Sequence, residues 1–296
     1  MTPAVGVIGL GAMGRPMAEC LAGAGMPPVV IRDLDEPALA VLRIAGARRA
    51  ASIPVLAAEV DVIVLSLPDG AAVEQVTLGP DGIAAAGRPG LVVLDTSTIE
   101  PERARRIATA LAGSGISYID APVSGGTVAA ASGSLSVMAG GDAEALERAR
   151  PVLDAIAERV VHLGRAGSGQ VAKACNQLIV LGSIELVAEA LTLAEQSGID
   201  PGRLREALLG GFASSRILEL HGARMLRGDY EAGGRAAFHL KDIASVAELK
   251  AASGVPTPAF DAAARQLERL VAEGGGDLDH AALKMLLDAA GRSREG

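Results

Sequence analysis

Short apolar runs alternate with amphipathic segments through the first half of this 296-residue chain. Val5-Gly6-Val7-Ile8 reads as a buried strand and residues 15–23 as a helix. Val29-Val30-Ile31 reads as a second strand, with a helix around residues 37–45 after it. Residues 62–67 form a near-continuous apolar run, as expected for a parallel strand buried on both faces. Residues 73–76 read as helix, 91–95 as strand, 101–112 as helix, 117–120 and 134–137 as strands, 143–156 as helix and 160–163 as strand. This alternation predicts an α/β domain over residues 1–163, with a doubly wound, mainly parallel sheet.

No strand signal remains after Gly167. Residues 171–196 keep helical periodicity over a length that suits one long helix leading into a second domain. Pro201 and Pro258 sit where early helix positions are expected, and Gly198 and Gly254 where helices stop. Residues 164–296 are therefore predicted to be an all-α domain. The apolar run 174–184 is too short to span a membrane, and 121–141 is too rich in Gly, Ser and Pro.

Composition narrows the function. Half of the chain is apolar and 2% aromatic, so Ala, Val and Leu must fill the core. A net charge of −8 argues against nucleic-acid binding, which needs a basic surface. Cys20 and Cys175 lie far apart within predicted helices and read as small buried thiols of a reducing compartment. The first residues lead straight into a core strand, with no signal segment. Together these features predict a cytoplasmic protein with no membrane partner.

Chemistry enters at Gly9-Leu10-Gly11-Ala12-Met13-Gly14, between the first strand and the first helix. This is a dinucleotide fingerprint in its required context, with an acid about 20 residues on. Gly9 allows the tight turn, Gly11 lets backbone approach a pyrophosphate, and Gly14 lets helix pack on strand. The helix N-terminus adds free N–H groups and a positive dipole end. Asp33 suits the ribose hydroxyls of NAD. Arg32 beside it can instead hold a 2′-phosphate, which leaves NADP as the alternative.

Three further segments follow strand ends, where ligands of open α/β sheets bind. They are Leu67-Pro68-Asp69, Asp95-Thr96-Ser97-Thr98 and Asp120-Ala121-Pro122-Val123-Ser124-Gly125-Gly126. In the last, one hydroxyl and two glycine N–H groups can cradle a carboxylate; the alternative is an ordinary polar turn. Lys173 and Asn176 share a helix face. A lysine near the N-terminus of an apolar helix is disfavoured as a cation by dipole and desolvation, which suits proton transfer at a carbonyl oxygen. Taken alone, that lysine reads more readily as a snorkelling surface residue. Lys241-Asp242 follows Phe238 near a helix start and reads either as a cofactor-side pair or as a surface ion pair. The four histidines are scattered along the chain. Asp277-Asp279-His280 reads as a turn and helix cap, and no metal spacing appears.

Together these segments resemble the β-hydroxyacid dehydrogenase family, which includes 3-hydroxyisobutyrate dehydrogenases and tartronate semialdehyde (2-hydroxy-3-oxopropionate) reductases. The likeness covers essentially the whole chain. Residues 9–18 match the family's N-terminal signature and residues 120–126 its substrate motif. Gly167-x-Gly169-x-x-x-Lys173-x-x-Asn176 matches the catalytic motif, and Lys241-Asp242 the cofactor-side motif.

The resemblance implies Lys173 as acid/base with Asn176 as its partner. It implies Ser124, Gly125 and Gly126 as carboxylate binders, and Leu67, Pro68, Thr96 and Lys241 along the cofactor. It also implies a Rossmann domain joined by a long helix to a helical domain that forms homodimers or homotetramers. Asn176-Gln177, residues 210–215 and Asp279-His280 are most similar to the tartronate semialdehyde reductases, with Gln177 where many relatives carry a second Asn. Arg216 departs from them and is a candidate substrate contact.

The leading expectation is an NAD-dependent oxidoreductase for a short 3-hydroxy acid and its semialdehyde. The same chemistry on 3-hydroxyisobutyrate, serine, threonate or a sulfonate is the alternative, since a methylene or hydroxyl in an apolar pocket is worth only ~1–3 kcal/mol. A non-catalytic dinucleotide-binding scaffold would be expected to lack Lys173. An imine-reducing branch also lacks it. The decarboxylating 6-phosphogluconate enzymes are longer and need a phosphate-binding cluster.

Overall fold

The computed structural model describes residues 2–27, 30–32, 46–86, 88–231 and 233–292. The chain forms two compact units, Met1–Lys173 and Ala174–Gly296. The division falls inside a helix, whereas the sequence places it after the last strand at residue 163.

In the first unit β1 (Val5–Ile8) is followed by α1 (Gly14–Gly23), β2 (Val30–Arg32), α2 (Ile53–Glu59), β3 (Val62–Leu65), α3 (Gly70–Leu78), β4 (Val92–Asp95), α4 (Pro101–Ala112) and β5 (Ser117–Asp120). The strands form one parallel sheet in the order β2-β1-β3-β4-β5. Alternate side chains point to opposite faces of a strand, and both faces are buried here. Val5, Val7, Val62, Val64, Val92 and Leu94 pack with Met17 and Leu21 of α1. Ile8, Ile63, Leu65, Val93 and Tyr118 pack with Leu56 of α2 and Ile107 and Leu111 of α4. Burial on both faces explains why β1 and β3 are apolar at every position and β4 at all but its last.

The unit continues with β6 (Val123–Ser124), α5 (Gly126–Ala131), β7 (Leu135–Ala139), α6 (Ala143–Arg148), α7 (Arg150–Ile156) and β8 (Ala157–His162). β7 pairs antiparallel with β6 and parallel with β8. The predicted helix over 143–156 is two helices. Pro151 lacks the N–H that a continuous ladder needs and opens α7 at its first turn. Three elements escaped the periodicity: β6 is two residues long, α5 is six, and α2 is announced only by Ser52, whose hydroxyl accepts from Val55 N, and by Pro54. The helix predicted over 37–45 and the candidate Asp33 lie outside the described residues.

α8 (Ser168–Gln196) begins in the first unit and runs into the second. The second unit adds α9 (Pro201–Leu209), α10 (Arg216–Arg227), α11 (Ala236–Ser253), α12 (Pro258–Ala272) and α13 (Leu283–Arg292). Asp200 caps α9, with Pro201 at its first position, and α11 stops at Gly254 in the left-handed conformation. The unit's core gathers Leu181, Ile184, Ala188 and Leu191 of α8 around Met225, Phe260, Leu267 and Leu283. Among the described residues α8 is the one helix long and apolar enough to cross a membrane by length and composition. Five of its apolar residues, Ala174 with these four, instead lie in this core. The cysteines depart from expectation: Cys20 is half-buried, with Sγ 3.3 Å from the Ala130 carbonyl oxygen, and Cys175 is exposed.

Glu185 of α8 is buried, and neither carboxylate oxygen has a hydrogen-bond partner among the described residues. Burial, with Glu189 nearby, pushes its carboxyl up to about 7. The folded chain therefore holds a proton between about pH 4.5 and 7 that the unfolded chain has released. Stability rises as pH falls through that window. Glu185→Gln removes this dependence. The expected result is stabilisation at pH 8, by about 3 kcal/mol at most, and little change at pH 5, read from denaturant melts at both pH values.

Candidate active site

The loop after β1 shows what its glycines are for. Gly9 has φ +96°, and a Cβ there would stand 2.2 Å from the Ser66 carbonyl oxygen. A Cβ on Gly14 would stand 1.9 Å from the Gly9 carbonyl oxygen. A Cβ on Gly11 would meet nothing within 4 Å, and Gly11 and Ala12 are exposed. Gly9 and Gly14 are thus needed by the fold, while Gly11 faces open space. Leu10 is buried and Met13 half-buried. The first turn of α1 holds neither an acidic side chain nor a side-chain cap, so its N–H groups suit a pyrophosphate. These residues fit a dinucleotide. Arg32 closes β2 beside β1.

The β1, β3, β4 and β5 ends form one edge, because the strands are parallel neighbours. Leu67 lies beside Gly9, and its N–H donates to Ser97 Oγ at 2.9 Å. Pro68 is exposed. Thr96 is buried and its hydroxyl donates to the Leu65 carbonyl at 2.6 Å. Gly125 and Gly126 both take positive φ, +127° and +67°, and are exposed beside half-buried Ser124.

Asp120, the last residue of β5, ties this edge to α8. It is fully buried. Its Oδ1 accepts from Gly167 N at 2.7 Å and its Oδ2 from Gln170 N at 3.0 Å, so it caps the helix from another element. Burial pushes its carboxyl up to about 7, against the pull of those two N–H groups. Gln170 extends the link by donating to the Ser97 carbonyl at 2.8 Å and accepting from Ile99 N at 3.1 Å. Gly169 is required because a Cβ would stand 2.3 Å from the Met138 carbonyl oxygen.

Lys173 follows in the second turn of α8. Its residue is 9% exposed, and Nζ donates to the Val123 carbonyl at 3.0 Å, next to Ser124. The structure thus brings the 120–126 and 167–173 motifs together. The capping by Asp120 and the tie through Gln170 were not read from sequence. The available signal was an acid ending an otherwise apolar strand.

In the second unit Asn176 Nδ2 donates to Gln177 Oε1 at 2.7 Å, and Gln177 Nε2 donates to Asp242 Oδ2 at 2.6 Å. This joins the Asn176-Gln177 and Lys241-Asp242 segments. Lys241 is exposed on α11 and Asp242 is buried. Arg216, the candidate substrate contact, is exposed at the start of α10 and pairs with Glu219 at 2.7 Å. Asp279 accepts from Ala281 N at 3.0 Å, as a cap does. The histidines are not scattered in space: His221, His239 and His280 are in contact.

Residues 4–164 match the family described as the NAD binding domain of 6-phosphogluconate dehydrogenase. Residues 167–287 match the NAD-binding family of NADP-dependent 3-hydroxyisobutyrate dehydrogenase. The chain is 38% identical over 286 residues to a 2-hydroxy-3-oxopropionate reductase of Escherichia coli, covering 96% of this chain and 97% of that protein. The chain belongs to the β-hydroxyacid dehydrogenase family. It is also 37% identical to an NAD-dependent L-serine dehydrogenase of Pseudomonas aeruginosa, over 96% of this chain and 97% of that one. The crystal structure of a 3-hydroxyisobutyrate dehydrogenase from Salmonella typhimurium superposes with a TM-score of 0.86 at 34% identity, covering 96% of this chain and 99% of that chain. As a β-hydroxyacid dehydrogenase the protein is an oxidoreductase that uses NAD or NADP.

Proposed function

We infer that this β-hydroxyacid dehydrogenase reversibly interconverts a short 3-hydroxy carboxylic acid and its semialdehyde, with tartronate semialdehyde as the preferred substrate. One observation carries the reaction: a buried lysine, Lys173, held at 3.0 Å from the Val123 carbonyl beside the Ser124-Gly125-Gly126 turn. The bound nicotinamide cofactor supplies or accepts the hydride. Lys173 Nζ gives a proton to the aldehyde oxygen in reduction and takes it from the hydroxyl in oxidation. Ser124 Oγ and the Gly125 and Gly126 N–H groups hold the carboxylate. Asn176 orients the lysine or the substrate oxygen, and Gln177 sets the pocket. Residues 9–14, Arg32, Asp33, Leu67, Pro68, Thr96 and Lys241 hold the cofactor, and Asp33 favours NAD.

The substrate choice is supported by Gln177, by Asp279-His280 and by the near full-length likeness to the reductase. The protein is proposed to be cytoplasmic and to work as a homodimer or homotetramer. Ile179, Leu186 and Leu193, seven apart on α8 and 64%, 64% and 69% exposed, form the apolar stripe such an assembly would cover. Pure protein assayed with NADH and with NADPH on tartronate semialdehyde and on methylmalonate semialdehyde tests the reading. The expected result is at least tenfold higher kcat/KM for tartronate semialdehyde with NADH. Preference for methylmalonate semialdehyde, or activity confined to serine or threonate oxidation, overturns the substrate.

A further inference from the structure

Tyr118 brings a hydroxyl into the largely apolar cluster between the sheet and helices α2 and α4. It is 4% exposed, and its Oη donates to Asp95 Oδ2 at 2.6 Å. In register Tyr118 stands opposite Val93. Asp95, two residues further along β4, points to the same face at the end of its strand. Burial, with the charge of Asp95 beside it, pushes the Tyr118 hydroxyl well above the usual tyrosine range. The hydroxyl therefore keeps its proton and stays a donor.

The bonds continue past this pair. Asp95 Oδ1 accepts from Ser97 N at 3.0 Å, and Ser97 Oγ accepts from Leu67 N at 2.9 Å. Asp95, Thr96 and Ser97 are all buried. Three neighbouring strands, β5, β4 and β3, are thus joined by side chains at the edge where ligands of open α/β sheets bind. Thr96, between Asp95 and Ser97, is pinned to the end of β3 by its N–H and its hydroxyl, which both donate to the Leu65 carbonyl, at 2.9 and 2.6 Å. Gln170 grips the same turn from α8, donating to the Ser97 carbonyl and accepting from Ile99 N.

The far end of this chain of bonds lies outside the core. Leu67 is half-buried, and its side chain and the Ser66 carbonyl are the groups that crowd the Cβ position of Gly9. Residues 66 and 67 are therefore the wall against which the glycine loop turns. A tyrosine that needed only a partner for its hydroxyl would end at that partner. Here the partner passes the constraint on to the Leu67 N–H and to that wall.

We propose that Tyr118 is a positioning residue for the cofactor: through Asp95 and Ser97 its hydroxyl fixes the Leu67 N–H, and with it the wall beside the glycine loop. The inference rests on the reading of Leu67 and Thr96 as cofactor residues. Without the hydroxyl the Asp95 carboxylate loses a donor, Ser97 is held less firmly, and Leu67 shifts with it. Tyr118 does not reach the reacting atoms, so its loss acts on dinucleotide affinity and not on the chemical step.

Tyr118→Phe removes the hydroxyl and keeps the ring. Ser97→Ala removes the acceptor at the other end. Cofactor fluorescence gives Kd for NADH and NADPH without substrate. Each variant is expected to raise Kd of the tighter-bound dinucleotide about three- to tenfold, the worth of one buried hydrogen bond. At saturating dinucleotide, kcat for semialdehyde reduction should stay within about twofold, as expected when only ground-state binding is lost. The double variant should bind within about twofold of the weaker single variant, because both act through one chain of bonds. Hydrogen exchange over residues 65–69 of the ligand-free chain should be faster in Tyr118→Phe.

An unmoved Kd in Tyr118→Phe overturns the inference, as does a double variant whose loss equals the product of the two single losses. A role confined to stability would lower the denaturation midpoint and leave both Kd and this exchange unmoved. If Tyr118→Phe does not fold, an unmoved Kd in Ser97→Ala overturns the inference as well. In the unmodified chain the dinucleotide is expected to slow exchange over residues 65–69. No slowing overturns the reading of Leu67 as a cofactor residue, and the inference with it. Slowing together with an unmoved Kd in Tyr118→Phe overturns the inference alone.

Discussion

Lys173→Ala is expected to lower kcat for semialdehyde reduction by about 10²–10⁴-fold, the range that a positioned general acid supplies. NADH binding, followed by cofactor fluorescence, should change little, because the glycine loop is built from β1, α1 and the β3 end and not from Lys173. The lysine is buried, and its ammonium is anchored on the Val123 carbonyl. Deletion therefore removes the acid and also leaves that carbonyl without its donor. Lys173→Arg separates the effects, since it keeps a donor for that carbonyl but holds its proton too tightly to act as the acid. Equal loss in both variants assigns the effect to proton transfer. Full turnover in either one removes Lys173 from the mechanism.

Asp120→Ala is expected to destabilise the chain by about 2–5 kcal/mol, because two buried N–H groups, those of Gly167 and Gln170, lose their acceptor at about 1–3 kcal/mol each. Asp120→Asn keeps one acceptor oxygen and should fall between. Denaturant melts give the stability, and kcat should fall in the same order, since Lys173 lies within one turn of the capped N–H of Gln170. A loss under about 0.5 kcal/mol would mean that water or a neighbouring group caps α8 in place of Asp120. The proposed chemistry would then not depend on this link.

These two residues show how differently sequence carries information. Lys173 stood out in the sequence as a candidate because a cation in an apolar helix has a local cost, and the structure places it buried against the Val123 carbonyl. Asp120 was visible within a motif, but its partners lie 47 and 50 residues away, and no periodicity encodes a cap supplied from another element. The histidines were harder still. His221, His239 and His280 have no metal-like spacing, and they meet only because α10, α11 and the turn before α13 pack against one another.

Local physics written into the chain determined the parallel sheet, the glycine loop, the long helix and the all-α second half. Strands buried on both faces are near-continuously apolar, tight turns need glycine, and proline and glycine mark helix ends. The break at Pro151 was equally local, although the apolar pattern ran through it. The tertiary structure alone decided which polar groups meet: Asp120 with the start of α8, Lys173 with the Val123 carbonyl, and Gln177 with Asp242. Buried polar groups must find partners wherever the packing puts them, and those partners are set by the fold, not by distance along the chain.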